Sequence, residues 1–576
     1  MKKNVLALSI TAGMLGLGFA GGAQAMSAAP LSGSTANSFL SMNKDGIGHM
    51  LMVPYYTAQA ENSTLINITN TDTVNAKAVK VRFRGAANSD DVFDFQVFLS
   101  PGDVYAFSVS KDSTGNAKFT TNDASCTKPS KSVLNTTPFV TSRLDTTKTG
   151  DALLNQAREG YVEIFNMADI PRLEQAVAGD AHAYQLQNMF SGQNSAGLFS
   201  DSDSVNDLYA AIKHVNKVAP CSGAAWSALD TNNPADPTVA RTLGLLPPST
   251  GLMANWTVIN VVGAAAWSGA AASVQSIIGG DFFTDRPALG NVVYWPQTAN
   301  AVGNSGALNF TADPLFRTDA LRVTDSVSNA VTVAGSSPAI AAAFYDLPDM
   351  STPYSAASAV GADVTRFPLN QARNLTETLA STSITNEFLT DASISATTDW
   401  VFSMPTRRYS VALNYAATGT DDGRRFSELV DDTVASTLTR GYFIPASTTV
   451  SSRQICVYNI GFTPRDREES EVVSTTDVVI SPSTPGVVTA FCGEASILSV
   501  NNGGATTSGA LKANVAVKDL TVPYTDGWMA VATPAGGAVS AGPAGLPVIG
   551  ASFVRALGNG TQTFGAAYPH RNGRGQ

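Results

Sequence analysis

Residues 76–99 read AKAVKVRFRGAANSDDVFDFQVFL, and no other stretch narrows the fold of this chain so far. Val79, Val81 and Phe83 fall at every second position, with Lys80, Arg82 and Arg84 between them. Phe93, Phe95, Val97 and Leu99 repeat the beat against Asp94, Gln96 and Phe98. A period of two belongs to a strand, whose side chains alternate between faces, and not to an amphipathic helix. The intervening GAANSDD is turn chemistry, and SPGD at 100–103 is a second turn leading into VYAFSV. Strands joined by short turns, each apolar on one face, make a sheet that has to be covered. The simplest cover is a second sheet, which predicts a mainly β chain of Ig-like or jelly-roll type β-sandwiches with the Lys and Arg face outward.

The first 25 residues, MKKNVLALSITAGMLGLGFAGGAQA, have the layout of a secretory signal peptide. Lys2 and Lys3 supply the positive start, Val5 to Phe19 the apolar run and Ala23-Gln24-Ala25 the cleavage site. No cysteine follows the run, so a lipid anchor is not indicated, and the mature chain begins near Met26. A second apolar stretch, 251–280, contains Asn255, Asn260, Ser268, Ser273 and Gln275. Each would need a partner in lipid, so no transmembrane span is expected after cleavage. The stretch reads instead as a strand at 256–262 followed by a small-residue turn or short helix. The polar, Gly-rich ending GAAYPHRNGRGQ gives no sign of an outer-membrane barrel's closing strand.

About 550 residues remain after cleavage, enough for two to four domains. The spacing of the patterns divides them into an N-terminal β-sandwich at 26–160 and a strand plus helical insertion at 161–235. A mixed region at 236–395 and a β-rich domain at 396–576 follow. Hydrophobic residues make up 44 % of the chain, sufficient for a core. Only 14 % are charged, against about 25 % in an average soluble protein. A net charge of −10 leaves no basic stripe for nucleic acid. Few charges and many small polar residues suit a surface that packs against other copies or against cell-surface and matrix components.

The four cysteines, Cys126, Cys221, Cys456 and Cys492, include no CxxC pair that would suggest zinc or redox chemistry. In an exported chain an even count reads as disulfides, with inert buried thiols as the alternative. Of the three connectivities, Cys126–Cys221 and Cys456–Cys492 are favoured because each stays within one half of the chain. The first would pin the helical excursion to the rim of the N-terminal sandwich.

Catalytic signatures are sparse. No G-x-S-x-G or HExxH occurs, and His49, His182, His214 and His570 read as solvated or core histidines. Asp201, Asp203 and Asp207 begin like a calcium loop but lack its Gly and terminal Glu. An acidic helix start capped by Ser204 explains them equally well, so no cofactor is expected beyond a weak calcium candidate. The densest charge cluster, PRDREESE, holds Asp466, Glu468 and Glu469 and reads as a solvated loop, with acid–base or metal work as the functional alternative. In DWVFSMPTRRY, Trp400 shares a face with Phe402 and Met404, and Arg407 and Arg408 follow Pro405. Trp400, Arg407, Arg408, Asp466, Glu468 and Glu469 together make the candidate binding surface.

Five stretches carry a resemblance: VPYYTAQAENSTLINITNTDTVNAKAVKVRFR (53–84), REGYVEIFNMADI (158–170), TDWVFSMPTRRY (398–409), DREE (466–469) and GLPVIGASFVRALGNGTQTFGAAYPHR (545–571). They are similar to recurrent blocks of an uncharacterised family of exported proteins from Gram-negative bacteria, sometimes labelled cell-surface proteins. The resemblance spans most of the mature chain, implies that it is one evolutionary unit, and brings no reaction and no catalytic residues. The resulting expectation is a secreted or cell-surface protein, structural, matrix-forming or adhesive rather than enzymatic. The periplasm is the alternative location, and carbohydrate binding or carbohydrate chemistry the alternative function.

Overall fold

The computed structural model describes residues 38–172, 206–230, 243–278, 367–426, 447–468, 489–533, 545–557 and 563–573, with short pieces between 286 and 350 and at 443. The chain is mainly β. Its first twelve strands are β1 (Ser38–Met42), β2 (Met50–Thr57), β3 (Asn62–Asn70), β4 (Ala76–Gly85), β5 (Asp91–Leu99) and β6 (Val104–Lys111), then β7 (Ala117–Thr120), β8 (Cys126–Lys128), β9 (Glu159–Ile170), β10 (Leu252–Asn260), β11 (Ala265–Ala270) and β12 (Ala272–Ile278). They form two antiparallel sheets, β1-β12-β2-β9-β4-β5-β8 and β11-β10-β3-β6-β7.

Val79, Val81, Phe83, Phe95, Val97 and Leu99 are all buried between these sheets, facing Ile66, Ile68, Tyr105 and Phe107 of the second. Phe93 stacks on Phe139 at 4.9 Å and on Phe119 at 5.6 Å. Each such side chain contributes roughly 1.5–3 kcal/mol of burial. The expected boundary at residue 160 does not hold, because β9 lies at the centre of the large sheet and β10–β12 complete both sheets. The small-residue segment after Asn260 turns at 261–264 and then forms two strands rather than a short helix.

The face of β4 expected outward is also interior: Lys80, Arg82 and Arg84 are buried like Val81 and Phe83 between them. Two covers account for this. One end of the large sheet, through Met50, Met52, Phe98, Phe165 and Met167, is capped by helix Asp207–Ile212 and residues Leu245, Tyr294 and Leu375. Leu375 belongs to helix Phe367–Leu379. The other end meets the second half of the chain.

That half is a second pair of sheets. A five-stranded sheet runs in the order Val517–Leu520, Ala495–Val500, Thr397–Ser403, Ile549–Leu557, Thr563–Pro569, with the first two parallel. A six-stranded sheet is built around Gln454–Arg465, Asp526–Ala532 and Ser383–Leu389. Trp400, Phe402, Phe491, Met529 and Val531 fill the space between them. The opposite face of the five-stranded sheet, through Val401, Ile497, Ala551 and Phe553, joins the core of the first pair. Phe553 packs against Tyr55, Trp256 and Trp267. The core of the first sandwich therefore extends onto the outer face of the five-stranded sheet, while the interior of the second sandwich is a core of its own.

Candidate functional site: a buried charged seam

The β4–β5 turn, residues 86–90, is plugged into the second half. The Ala86 carbonyl accepts from the Glu494 N–H (2.7 Å) and the Ala495 N–H (3.1 Å). Asn88 donates to the Arg453 carbonyl (2.7 Å) and accepts from the Ile455 N–H (3.1 Å). The fit requires glycine at 493, which has φ +77° and whose added Cβ would lie 2.8 Å from the Ala86 oxygen.

Beneath this turn, arginines and carboxylates from both halves interleave. Arg408 Nη2 lies 2.7 Å from Glu163 Oε1, and Arg84 Nε 3.4 Å from Glu163 Oε2. Arg407 Nε lies 2.7 Å from Glu494 Oε2, and its Nη1 donates to the Ile455 carbonyl at 2.6 Å. Asp91 sits between Arg82 and Arg143, and Arg453 reaches Asp145 at 3.0 Å. Tyr415 donates to Asp90 Oδ2 at 2.7 Å. Burial pushes the Glu494 carboxyl up against the pull of Arg407 and Arg408. Burial likewise pushes Asp90 up to about 7, opposed by the Tyr415 hydroxyl, Arg143 and Arg84. Tyr161 and Tyr415 are held well above the ordinary phenol range by burial, with Glu163 and Asp90 adding to it. Their hydroxyls remain protonated donors.

A second fastening lies beside the first. Asp399 accepts from the Ser499 and Ser508 hydroxyls and from the N–H groups of Gly509, Ala510 and Leu511. Glu159 accepts from the Tyr55 hydroxyl, the Gln59 amide and the N–H groups of Asn514 and Val515. Residues 508–515 are thus strapped between one carboxyl from each half. Such groups, desolvated and mutually paired, specify how two surfaces meet, and breaking one leaves its partner buried without compensation.

The proposed binding surface divides. Trp400, Arg407 and Arg408 are interior, so they form no surface. Trp400 lies on the central strand of the five-stranded sheet, which is covered on both faces, and its indole donates to the Glu387 carbonyl of the six-stranded sheet. Glu468 is exposed and Asp466 half-buried, on a turn after strand Gln454–Arg465. Glu469 lies outside the described residues, as do Asp201, Asp203, Ser204 and His182. Asp207 opens a helix capped by Asn206, whose side chain accepts from the Leu208 and Tyr209 N–H groups. Among the described residues no three His, Cys, Asp or Glu side chains converge on a metal-sized site. His570 is half-buried and held down to about 3 by desolvation, donating to the Val401 carbonyl and stacking on Phe402.

Both disulfides, Cys126–Cys221 and Cys456–Cys492, join the favoured partners. The second links residues directly opposite on adjacent strands of one sheet. Two disulfides fit an oxidising, exported setting, and among the described residues no helix is long and apolar enough to cross a membrane.

Two features of the outer surface were not anticipated from sequence. A cleft of about 220 Å³ is lined by Leu413, Asn414, Asp421, Asp422, Val450 and Arg453. Asp421 is bound by Arg425, which holds its carboxyl below the usual range. The β10–β11 turn projects Val261 and Val262, each 80 % exposed. Arg555 donates to the Gly263 carbonyl, so this tip adjoins the strand pair carrying Leu557 and the 60 % exposed Phe564. The seam carboxylates were also missed, although a signal existed: Glu163, Asp399 and Glu494 each interrupt an apolar strand run in a chain poor in charge. No family model, curated protein or solved structure matches this chain.

Proposed function

We propose that this chain is an exported cell-surface or matrix protein, built on Ig-like or jelly-roll type sandwiches. Its role in this reading is structural or adhesive, without catalysis. The observation that carries it is the division of side chains. Polar groups suited to chemistry are spent in the interior, joining the halves, while an apolar tip of Val261, Val262 and Phe564 faces outward. Apolar side chains concentrated on an exposed tip favour contact with another surface. The signal-like leader, the disulfides and the resemblance to exported surface proteins support the same reading.

One observation favours carbohydrate binding as the second reading. Trp528 is 37 % exposed, with Arg465 5.5 Å over its ring and Asp466 next in sequence. Fractionation of cells and medium, with light scattering and electron microscopy of the purified protein, tests the proposal. Self-assembled material or a cell-bound coat is expected, weakened by Val261→Asp with Val262→Asp and Phe564→Ser. A secreted protein that stays monomeric at high concentration and adheres to nothing overturns it. Polysaccharide binding abolished by Trp528→Ala moves the assignment to the second reading.

A further inference from the structure

Lys77 and Asp169 lie directly opposite each other on β4 and β9. Both the N–H and the C=O of Asp169 bond to Leu246 on the far side, so the two residues form a non-hydrogen-bonded pair, the type that brings side chains closest. Lys77 Nζ is 2.9 Å from Asp169 Oδ1, 3.3 Å from Asp72 Oδ2 and 3.0 Å from the Ser249 hydroxyl. The Lys77 side chain is fully buried, and those of Asp72 and Asp169 are 6 % and 5 % exposed. Gly251 closes over the lysine stem, since a Cβ there would lie 2.9 Å from Lys77 Cε. Asp169 Oδ2 accepts from the Ser249 N–H (3.1 Å) and hydroxyl, and Oδ1 from Asn166 Nδ2 (2.8 Å).

We propose that these residues form a covalent cross-link, an amide between Lys77 Nζ and Asp169 Cγ made by the folded protein itself, with Asp72 as proton relay. A buried ion pair needs only two partners. This one adds a second carboxylate on the amine, N–H donors on the carboxyl, and exclusion of water. The two carboxylates are also tuned apart. Burial pushes the Asp169 carboxyl up, opposed by Lys77, Ser249 and Asn166. Burial also pushes Asp72 up, but Lys77 and the Asn75 and Val74 N–H groups outweigh it and hold it low. The attacked group is thus shifted toward its acid form and the relay toward its base form.

The step balances from the ion pair. Asp72 takes one ammonium proton and passes it to Asp169 Oδ1. The freed lone pair attacks Cγ, and the charge that develops on Oδ2 is held by the Ser249 N–H. Asp72 relays a second proton from nitrogen to Oδ1, the C–O bond breaks and one water leaves. The third ammonium hydrogen remains as the amide N–H. Fixing both partners in one fold gives effective molarities of about 10⁵ M or more, which drives a condensation that free reactants in water do not undergo.

Mass spectrometry of the reduced, purified wild-type protein tests this. The mature chain is expected to be lighter than its sequence by one water, and a tryptic digest to contain a branched peptide joining the Lys77 and Asp169 segments. Lys77→Arg keeps the positive charge and is expected to show full mass. Asp169→Asn is expected to lose ammonia in place of water, and Asp72→Asn to slow the linkage at least tenfold. Folded wild-type protein, with both disulfides formed, at full mass and with separate peptides overturns the proposal. A Lys77→Arg protein that still loses water also overturns it.

Discussion

A carboxyl enclosed by Tyr415, Arg143 and Arg84 titrates in a range that a surface carboxyl does not. Asp90 is pushed up to about 7, whereas in the unfolded chain it titrates near about 4. Below about pH 4 both states hold the proton and the group has no effect on stability. Between about pH 4 and 7 the unfolded chain releases the proton while the folded one keeps it, so stability falls as pH rises, with the full penalty reached above about 7. The ceiling of that loss is about 4 kcal/mol. Asp90→Asn keeps an acceptor for the Tyr415 hydroxyl and is expected to flatten the profile, so that it is more stable than wild type at pH 8. Urea unfolding across this range checks it, and parallel profiles for the two proteins would refute it. Lys80, Arg82 and Arg84 make the related point about what could be read in advance. Their alternation with valine and phenylalanine correctly placed them on the opposite face of β4, yet a one-dimensional pattern does not say whether that face meets water or another half of the chain.

At the scale of elements, the Cys126–Cys221 bond joins β8, an edge of the large sheet, to the segment after helix Asp207–Ile212. It closes a loop of 95 residues, and the chain-entropy account puts its contribution at about 5 kcal/mol. The Cys456–Cys492 bond closes 36 and contributes about 4 kcal/mol by the same account. Replacing the first pair by serine is expected to speed hydrogen exchange at 207–229 beyond the general loss of stability, whereas replacing the second pair leaves that segment's relative protection unchanged. Equal loosening of 207–229 in both variants would refute this. The strands and pairing were legible because turn residues and alternation are local signals. The segment after Asn260 was not. Its small residues suit a turn, a helix or a strand, and only the β10–β11 and β2–β12 ladders select the strand.

For the whole molecule the apolar contact between the halves has a direct consequence. Val401, Ile497 and Phe553 belong to the same core as Val81 and Phe95, and residues 508–515 are held by carboxylates from both halves. Calorimetry is expected to show the two sandwiches unfolding in a single transition. Phe553→Ala, costing about 3–5 kcal/mol, should lower that transition without splitting it. Two separated transitions in the wild type would show that the seam does not couple them.

The order of residues by itself determined the strand class and the alternation of faces along β4 and β5, and it narrowed the disulfides to three connectivities, because each depends on nearest neighbours or on a small number of combinations. Tertiary structure alone decided that β9–β12 complete the first sandwich and that Trp400, Arg407 and Arg408 are interior. It also placed Lys77, Asp72 and Asp169 together and left Val261 and Val262 outward. Burial is a property of what lies across a gap in space, and the residues that fill those gaps here come from hundreds of positions away.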